Sequence, residues 1–89
     1  MRYTCYGDVI MEDKFTNEYK NLGRNIAFYR KKMRLTQEGL AIKANLSRVH
    51  LSHIEAENVD KSPSLNMIFN IAKTLKIPVY KLFMHGDEQ

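Results

Sequence analysis

The chain has 89 residues, of which 44% are hydrophobic and 27% are charged, and this predicts one small folded domain with a modest core. Its apolar runs are far shorter than the ~20 residues that cross a bilayer, its first residues lack the apolar centre of a secretory signal, and the single Cys5 cannot form an internal disulfide. We therefore expect a soluble cytoplasmic protein rather than a membrane protein or a disulfide-linked secreted one.

The net charge of +4 is unevenly distributed along the chain. Residues 1–19 hold two basic and four acidic side chains, residues 20–61 hold nine and four, and residues 62–89 hold three and two. The basic excess therefore lies in the central segment. A basic surface there would supply the salt-dependent, sequence-independent part of binding to nucleic-acid phosphates. Charge alone is equally compatible with a solvated face.

The first fifteen residues, 1–15, follow no clear period. We expect an N-terminal extension, which can be a short strand, an arm or a disordered leader, with Met11 as an alternative start of the biological chain.

Helix 1 is predicted from about Thr16 to Met33. Arg30 lies beside its apolar stripe, whereas Phe28 points away from it. The stripe has helical spacings of three and four and consists of Leu22, Ile26, Tyr29 and Met33.

The segment 36–55 predicts two short helices joined by a tight corner. Thr36 and Ser47 can each cap the start of one helix, because a hydroxyl accepts a hydrogen bond from an unpaired amide of the first turn. Asn45 marks the corner, since asparagine tolerates a left-handed backbone. Gly39 costs about 1 kcal/mol relative to alanine inside helix 2, so this helix needs tertiary packing. The apolar positions are Leu40, Ala41, Ala44, Leu46, Leu51 and Ile54.

The predicted outer face of the third helix is polar and basic, with Arg48, Val49, Ser52 and His53 in one row. A short helix held at an angle to its predecessor, with such a face, has the shape that enters a DNA major groove.

The C-terminal third predicts two further helices. Ser62-Pro63 predicts the start of helix 4, with proline at the first helical position, and Val79 to Met84 predicts a short fifth helix. The expected inner face of helix 4 is Leu65, Ile68, Phe69, Ala72 and Leu75, with Ile71 at its edge. The fold class is thus all-α, a compact five-helix domain at 16–84, preceded by the irregular extension and followed by a frayed tail at 85–89.

The residues from Leu22 to Phe83 resemble the Cro/lambda-repressor-type helix-turn-helix domain, the xenobiotic-response-element family. The resemblance is carried by several motifs in order: Thr36-Gln37-Glu38, Leu40-Ala41, Asn45-Leu46-Ser47, Ile54-Glu55, Pro63-Ser64-Leu65 and Ile71-Ala72. It implies a lambda-repressor-like fold with helix 3, about 47–55, in the major groove.

The same resemblance implies roles for individual residues. Arg48, Val49, Ser52 and His53, with Ser47 at the helix start, match base-reading positions, and the chemistry agrees for arginine on guanine and valine on a thymine methyl. Thr36, Gln37 and Lys61 match positions at or near phosphates. Arg30 and Glu55 match a structural ion pair. Relatives often dimerise through the C-terminal segment, so the expected dimer interface is Val79, Tyr80, Leu82, Phe83 and Met84, with closure of the core as the alternative role.

The chain also departs from the family pattern. Arg34 and Asn45 stand where relatives often have glycine. The loop from Glu55 to Pro63, which contains Lys61, is about two residues longer than in many relatives.

Four other kinds of function are less well supported by the sequence than DNA binding. His50 and His53 could share a face, but no CxxC pair or carboxylate completes a metal site. No phosphate-cradling glycine loop, nucleophile elbow or paired acid and base indicates an enzyme. A protein-interaction module on the same scaffold, for example an antitoxin, is the main alternative, because fold alone does not determine function. RNA binding is weaker, since no aromatic stacking platform is evident.

We therefore expect a sequence-specific transcriptional regulator, a repressor, that binds double-stranded DNA as a homodimer. No cofactor, small-molecule ligand or membrane is expected among its partners.

Overall fold

Four α-helices and one short 3₁₀ helix form the structure, a computed structural model that describes residues 15–56 and 63–85. The predicted all-α fold with five helical elements is confirmed, and no helix in these two segments is long and apolar enough to cross a membrane. Three parts of the predicted chain lie outside the described residues: residues 1–14 of the predicted extension over 1–15, Lys61, and residues 86–89 of the predicted tail over 85–89. In chain order the elements are α1 (Thr16–Lys32), α2 (Gln37–Ala44), α3 (Arg48–Glu55), α4 (Leu65–Leu75) and the C-terminal 3₁₀ helix (Val79–Phe83).

Hydroxyl side chains cap three of the helices. Thr36 accepts a hydrogen bond from the Gly39 N–H at 2.9 Å, and Ser47 accepts one from the His50 N–H at 3.2 Å, so both predicted caps are confirmed. The predicted start of α4 is wrong by two residues. Its cap is Ser64, which accepts from the Met67 N–H at 3.2 Å, and Pro63 precedes the cap. With the start at Leu65, the Ser64 hydroxyl satisfies the Met67 N–H, one of the first-turn amides that have no partner within the helix.

Helices α1, α2 and α4 are each followed by a corner of the same type, in which one residue has a left-handed backbone conformation. The corner residues are Arg34, Asn45 and Lys76, each with φ of 60°. In each corner the next residue is aliphatic and donates its N–H to the carbonyl five residues earlier, as in a Schellman motif. These bonds are Leu35 to Arg30 at 3.1 Å, Leu46 to Ala41 at 2.9 Å and Ile77 to Ala72 at 3.1 Å. The left-handed conformation predicted for Asn45 is confirmed.

The centre of the core consists of five fully buried side chains, one from each element: Ile26, Leu40, Leu51, Ile71 and Leu82. The three aliphatic corner residues pack against this cluster from its edges. Each corner therefore satisfies backbone groups at the end of its helix and also adds an aliphatic side chain to the core. This tertiary packing stabilises helices that are too short to be stable alone.

Several predicted core positions are wrong. Met33 is 38% exposed because α1 has already ended at Lys32. Leu65 and Phe69 are 66% and 49% exposed, whereas Ile71, predicted at the edge, is fully buried. The inner face of α4 is therefore rotated toward Ile68, Ile71, Ala72 and Leu75. Both sets have helical spacing, and the positions of α2 and the 3₁₀ helix select between them.

Close approach and side-chain amides fix α1 to its neighbours. A Cβ added to Gly23 would collide with the Ile54 carbonyl oxygen, so only glycine lets α1 lie this close to the end of α3. On the other side, the Asn25 amide donates to the carbonyl of Leu82 at 2.8 Å and to that of Met84 at 2.6 Å. These contacts connect the C-terminal segment to the same helix that positions α3.

Candidate nucleic-acid interface

Helix α3 has a buried face and an outer face that differ in chemistry. Leu51 and Ile54 are 0% and 4% exposed and attach the helix to the core. Arg48 and Val49 on the outer face are exposed, and Ser52 and His53, one turn later, are half-buried. These are the four residues that the sequence predicted to lie in one row, and their spacing places them on one side of the helix.

The end of α3 is held by an ion pair with α1. Arg30 donates from Nε to Glu55 Oε2 at 2.8 Å and from Nη2 to Oε1 at 3.0 Å. The two side chains are only 11% and 5% exposed. A bidentate guanidinium–carboxylate pair fixes both distance and orientation. The third guanidinium nitrogen, Nη1, donates to the Leu35 carbonyl at 2.7 Å, so the same arginine also fixes the corner before α2.

Gln37, the first residue of α2, joins this network. Its Nε2 donates to Glu55 Oε1 at 2.9 Å, a bond that sequence reasoning missed. The start of α2, the end of α3 and the end of α1 therefore meet at one carboxylate. A side-chain amide carries two N–H groups, so one remains for a further acceptor while the other holds the side chain in place.

The remaining predicted interface residues lie at helix starts or outside the described segments. Thr36 and Ser47 are exposed, and each hydroxyl oxygen already caps its helix. A capping hydroxyl keeps its own O–H as a donor. Nothing is described for Lys61.

Basic side chains lie at both ends of the helix pair formed by α2 and α3. Lys31, Lys32 and Arg34 are exposed near the start of α2, with the Lys32 ammonium 5.5 Å from the centre of the Phe28 ring. At the other end, a groove of about 440 Å³ runs between the last turns of α2 and α4. Its lining includes Lys43, Lys73 and Lys76, together with Ala44, Asn45, Asn70 and Thr74. Lysines at helix C-termini stabilise the negative end of the helix dipole.

The two histidines of α3 do not share an environment. His53 belongs to the outer face, whereas the Nε2 atom of His50 is buried without a hydrogen-bond partner. Within 15–56 and 63–85, no three His, Cys, Asp or Glu side chains come together as potential metal ligands.

The predicted dimer segment divides into two groups. Leu82 is completely buried in the core of the monomer, so its inclusion in a dimer surface is wrong. Tyr80 and Phe83 are 63% and 51% exposed, and Val79 and Met84 are half-buried. The exposed residues flank a backbone that Asn21 also fixes, through its hydrogen bond to the Met84 carbonyl at 2.9 Å.

Known proteins share this sequence pattern and this fold. A family model described as helix-turn-helix matches residues 26–82. An uncharacterised helix-turn-helix-type transcriptional regulator of Methanocaldococcus jannaschii is 36% identical over 64 residues, covering 72% of this chain and 94% of its own.

Two solved structures add fold neighbours. The restriction-modification controller protein C.AhdI from Aeromonas hydrophila superposes with a TM-score of 0.70 and 27% identity, covering 75% of this chain and 98% of the controller. SinR, a master regulator of biofilm formation from Bacillus subtilis, has been solved in complex with DNA. It superposes with a TM-score of 0.66 and 30% identity, over 71% of this chain and 98% of its own.

Proposed function

The chain belongs to the helix-turn-helix family of DNA-binding transcriptional regulators, which are not enzymes, and from that membership we propose that it is a sequence-specific repressor that reads double-stranded DNA as a homodimer. The observation that carries the proposal is the outer face of α3. Arg48 and Val49 are exposed on a helix whose opposite side, Leu51 and Ile54, is fixed in the core. A rigid short helix with a basic, polar outer face suits insertion into the major groove.

The proposed base contacts follow from the chemistry of each side chain. Arg48 can donate two hydrogen bonds to guanine O6 and N7, and Val49 can pack against a thymine methyl group. Ser52 and His53 lie one turn further along and can donate to base edges or phosphates.

The proposed phosphate contacts come from the starts of the helices. Gln37 has one amide hydrogen left after its bond to Glu55, and it adjoins the backbone amides of the first turn of α2, which attract anions. Thr36 and Ser47 can donate their hydroxyl hydrogens. Lys61, outside the described segments, remains a proposed contact from the loop.

The proposed dimer uses the exposed side chains around the 3₁₀ helix. Tyr80 and Phe83 offer aromatic surface, with Val79 and Met84 beside them. Two-fold assembly would place the two α3 helices about 34–36 Å apart, one turn of DNA, on a palindromic site. With DNA as its partner, the proposed compartment is the cytoplasm.

Selection of bound duplexes from a random pool tests the proposal. A repressor of this kind should enrich a palindrome whose half-sites are separated by about one helical turn. The bound fraction should fall steeply with salt, because each phosphate contact releases counterions. A chain that binds no duplex at low salt would favour the alternative, a protein-interaction module. Exposed apolar side chains such as Ile42, 71% exposed on α2, are the surface that such a module would use.

A further inference from the structure

The corner between α1 and α2 contains an arginine in a conformation that favours glycine. Arg34 has φ of 60°, and its N–H donates to the Lys31 carbonyl at 2.9 Å while that of Leu35 donates to the Arg30 carbonyl. These bonds involve only the backbone, so glycine would form the same corner without the steric cost of a Cβ atom. The arginine side chain is therefore not required by the geometry of the turn.

The side chain of Arg34 makes no specific contact within the described segments. It is exposed, and no hydrogen bond or ion pair joins it to another residue within 15–56 or 63–85. The carboxylate of Glu55, which anchors the network at this corner, is already shared by Arg30 and Gln37. Lys31, one turn earlier, is exposed as well. Among the described residues, the corner thus presents cationic charge to solvent without an ion-pair partner.

The corner is also rigidly related to α3. Arg30 holds the Leu35 carbonyl at 2.7 Å with one nitrogen and Glu55 at the end of α3 with the other two. Arg34 directly precedes Leu35 and lies three positions before Gln37. Because only three positions separate Arg34 from Gln37, a DNA strand whose phosphate Gln37 binds would also run close to this corner.

We propose that Arg34 binds a backbone phosphate of duplex DNA next to the one proposed for Gln37. This inference rests on the proposed DNA-binding function and adds a residue to its interface. A guanidinium matches the geometry of a phosphate and can donate two parallel hydrogen bonds to it. The contact carries no sequence information and adds to affinity on every duplex.

A matched pair of substitutions tests the proposal. Arg34→Gly and Lys76→Gly each remove one exposed cation from a corner with φ of 60° that closes onto an aliphatic residue. Both therefore change net charge and backbone strain equally. The two residues differ in location. Arg34 lies shortly before the start of α2, whereas Lys76 follows α4 and lines the groove near the end of α2.

The measured quantities are the urea midpoint and the affinity for a selected duplex and a random duplex at about 50 and 200 mM salt. Both variants should unfold at the same or higher urea than the wild type, because glycine relieves strain. Only Arg34→Gly should weaken binding, and it should do so on both duplexes. Between the two salt concentrations its affinity should fall by a factor about threefold smaller than that of the wild type, because it makes one phosphate contact fewer. Arg34→Asn, which also tolerates the left-handed backbone, should reproduce the effect, and Arg34→Lys should retain the wild-type salt dependence.

Two results would overturn the proposal. Equal salt dependence for the wild type and Arg34→Gly would show that the guanidinium meets no phosphate. Equal weakening by Arg34→Gly and Lys76→Gly would show an effect of net charge alone. In both cases the wild type still binds DNA, so the proposed function stands. A wild-type chain that binds neither duplex at the lower salt concentration would instead reject the proposed function, and this contact with it.

Discussion

Removal of the Glu55 carboxylate should reveal how firmly α3 is held against the rest of the domain. In Glu55→Ala the guanidinium of Arg30, 11% exposed, loses two hydrogen bonds and its counter-ion, and Gln37 loses its acceptor. Truncating one partner of a buried pair costs about 3–5 kcal/mol, mainly because the other charge stays buried without compensation. Loss of the hydrogen bond from the side-chain amide of Gln37 adds about 1 kcal/mol to this cost.

The expected loss of about 4–6 kcal/mol is large for a domain of this size. Small domains have unfolding free energies of about 5–15 kcal/mol, and each kcal/mol corresponds to roughly 4–8 °C in Tm for chains of this length. Urea denaturation followed by circular dichroism should therefore show a much lower midpoint with an unchanged slope. An unchanged slope would show that the unfolded state is the same in both proteins.

Two variants control this measurement. Glu38→Ala removes an exposed glutamate from the first turn of α2 and should cost less than about 1 kcal/mol. The double variant Arg30→Met with Glu55→Leu removes both charges and should recover most of the loss. Recovery should remain incomplete, because the Leu35 carbonyl also loses the Arg30 donor. A cost below about 1 kcal/mol for Glu55→Ala would refute the reasoning, since that is the range of a solvated surface pair.

Three further substitutions test separate parts of the molecule. Arg48→Ala should cost about 1–3 kcal/mol of specific binding and relax preference at one base pair; an equal loss on random duplex would make Arg48 a phosphate contact. Phe83→Glu should shift the protein toward monomer in sedimentation, because it places charge on a side chain that is 51% exposed in the proposed interface; an unchanged dimer would move the interface elsewhere, for example to residues 1–15. Gly23→Ala should lower the free energy of unfolding by about 1–3 kcal/mol, since the new methyl group meets the Ile54 carbonyl; wild-type stability would show that α1 and α3 can separate without cost.

Local chemistry made the centre of the motif predictable from sequence. A threonine or serine before a helical run satisfies a specific amide, and asparagine is one of few residues suited to a left-handed corner. Thr36, Ser47 and Asn45 act as these rules predict. The buried side of α3 follows from the spacing of Leu51 and Ile54. Each of these features depends on residues within a few positions of one another.

Features that depend on distant residues were not predictable in the same way. On α4, the sets with Phe69 and with Ile71 are both compatible with a helical period, and only the placement of the other elements buries Ile71. The bond from Gln37 to Glu55 joins two helices, and no local pattern indicates it. Likewise, the sequence shows Gly23 only as a poor helix former. Its role depends on the nearby Ile54 carbonyl, which only the structure reveals.

The three left-handed corners explain how such a small domain can place charged residues where glycine would be expected. Each corner is closed by two backbone hydrogen bonds and by the aliphatic residue that follows and packs on the core. The geometry is therefore secured by neighbours, and the corner residue bears only the steric cost of its own Cβ, roughly 1–2 kcal/mol. Asparagine reduces that cost at Asn45, in the turn between α2 and α3. Arg34 and Lys76 do not reduce it. Both place a cation at the C-terminal end of a helix, and Arg34 in addition faces solvent beside the proposed phosphate contacts. A fold that spreads the stability of its turns over neighbouring residues leaves the turn residue itself available for binding.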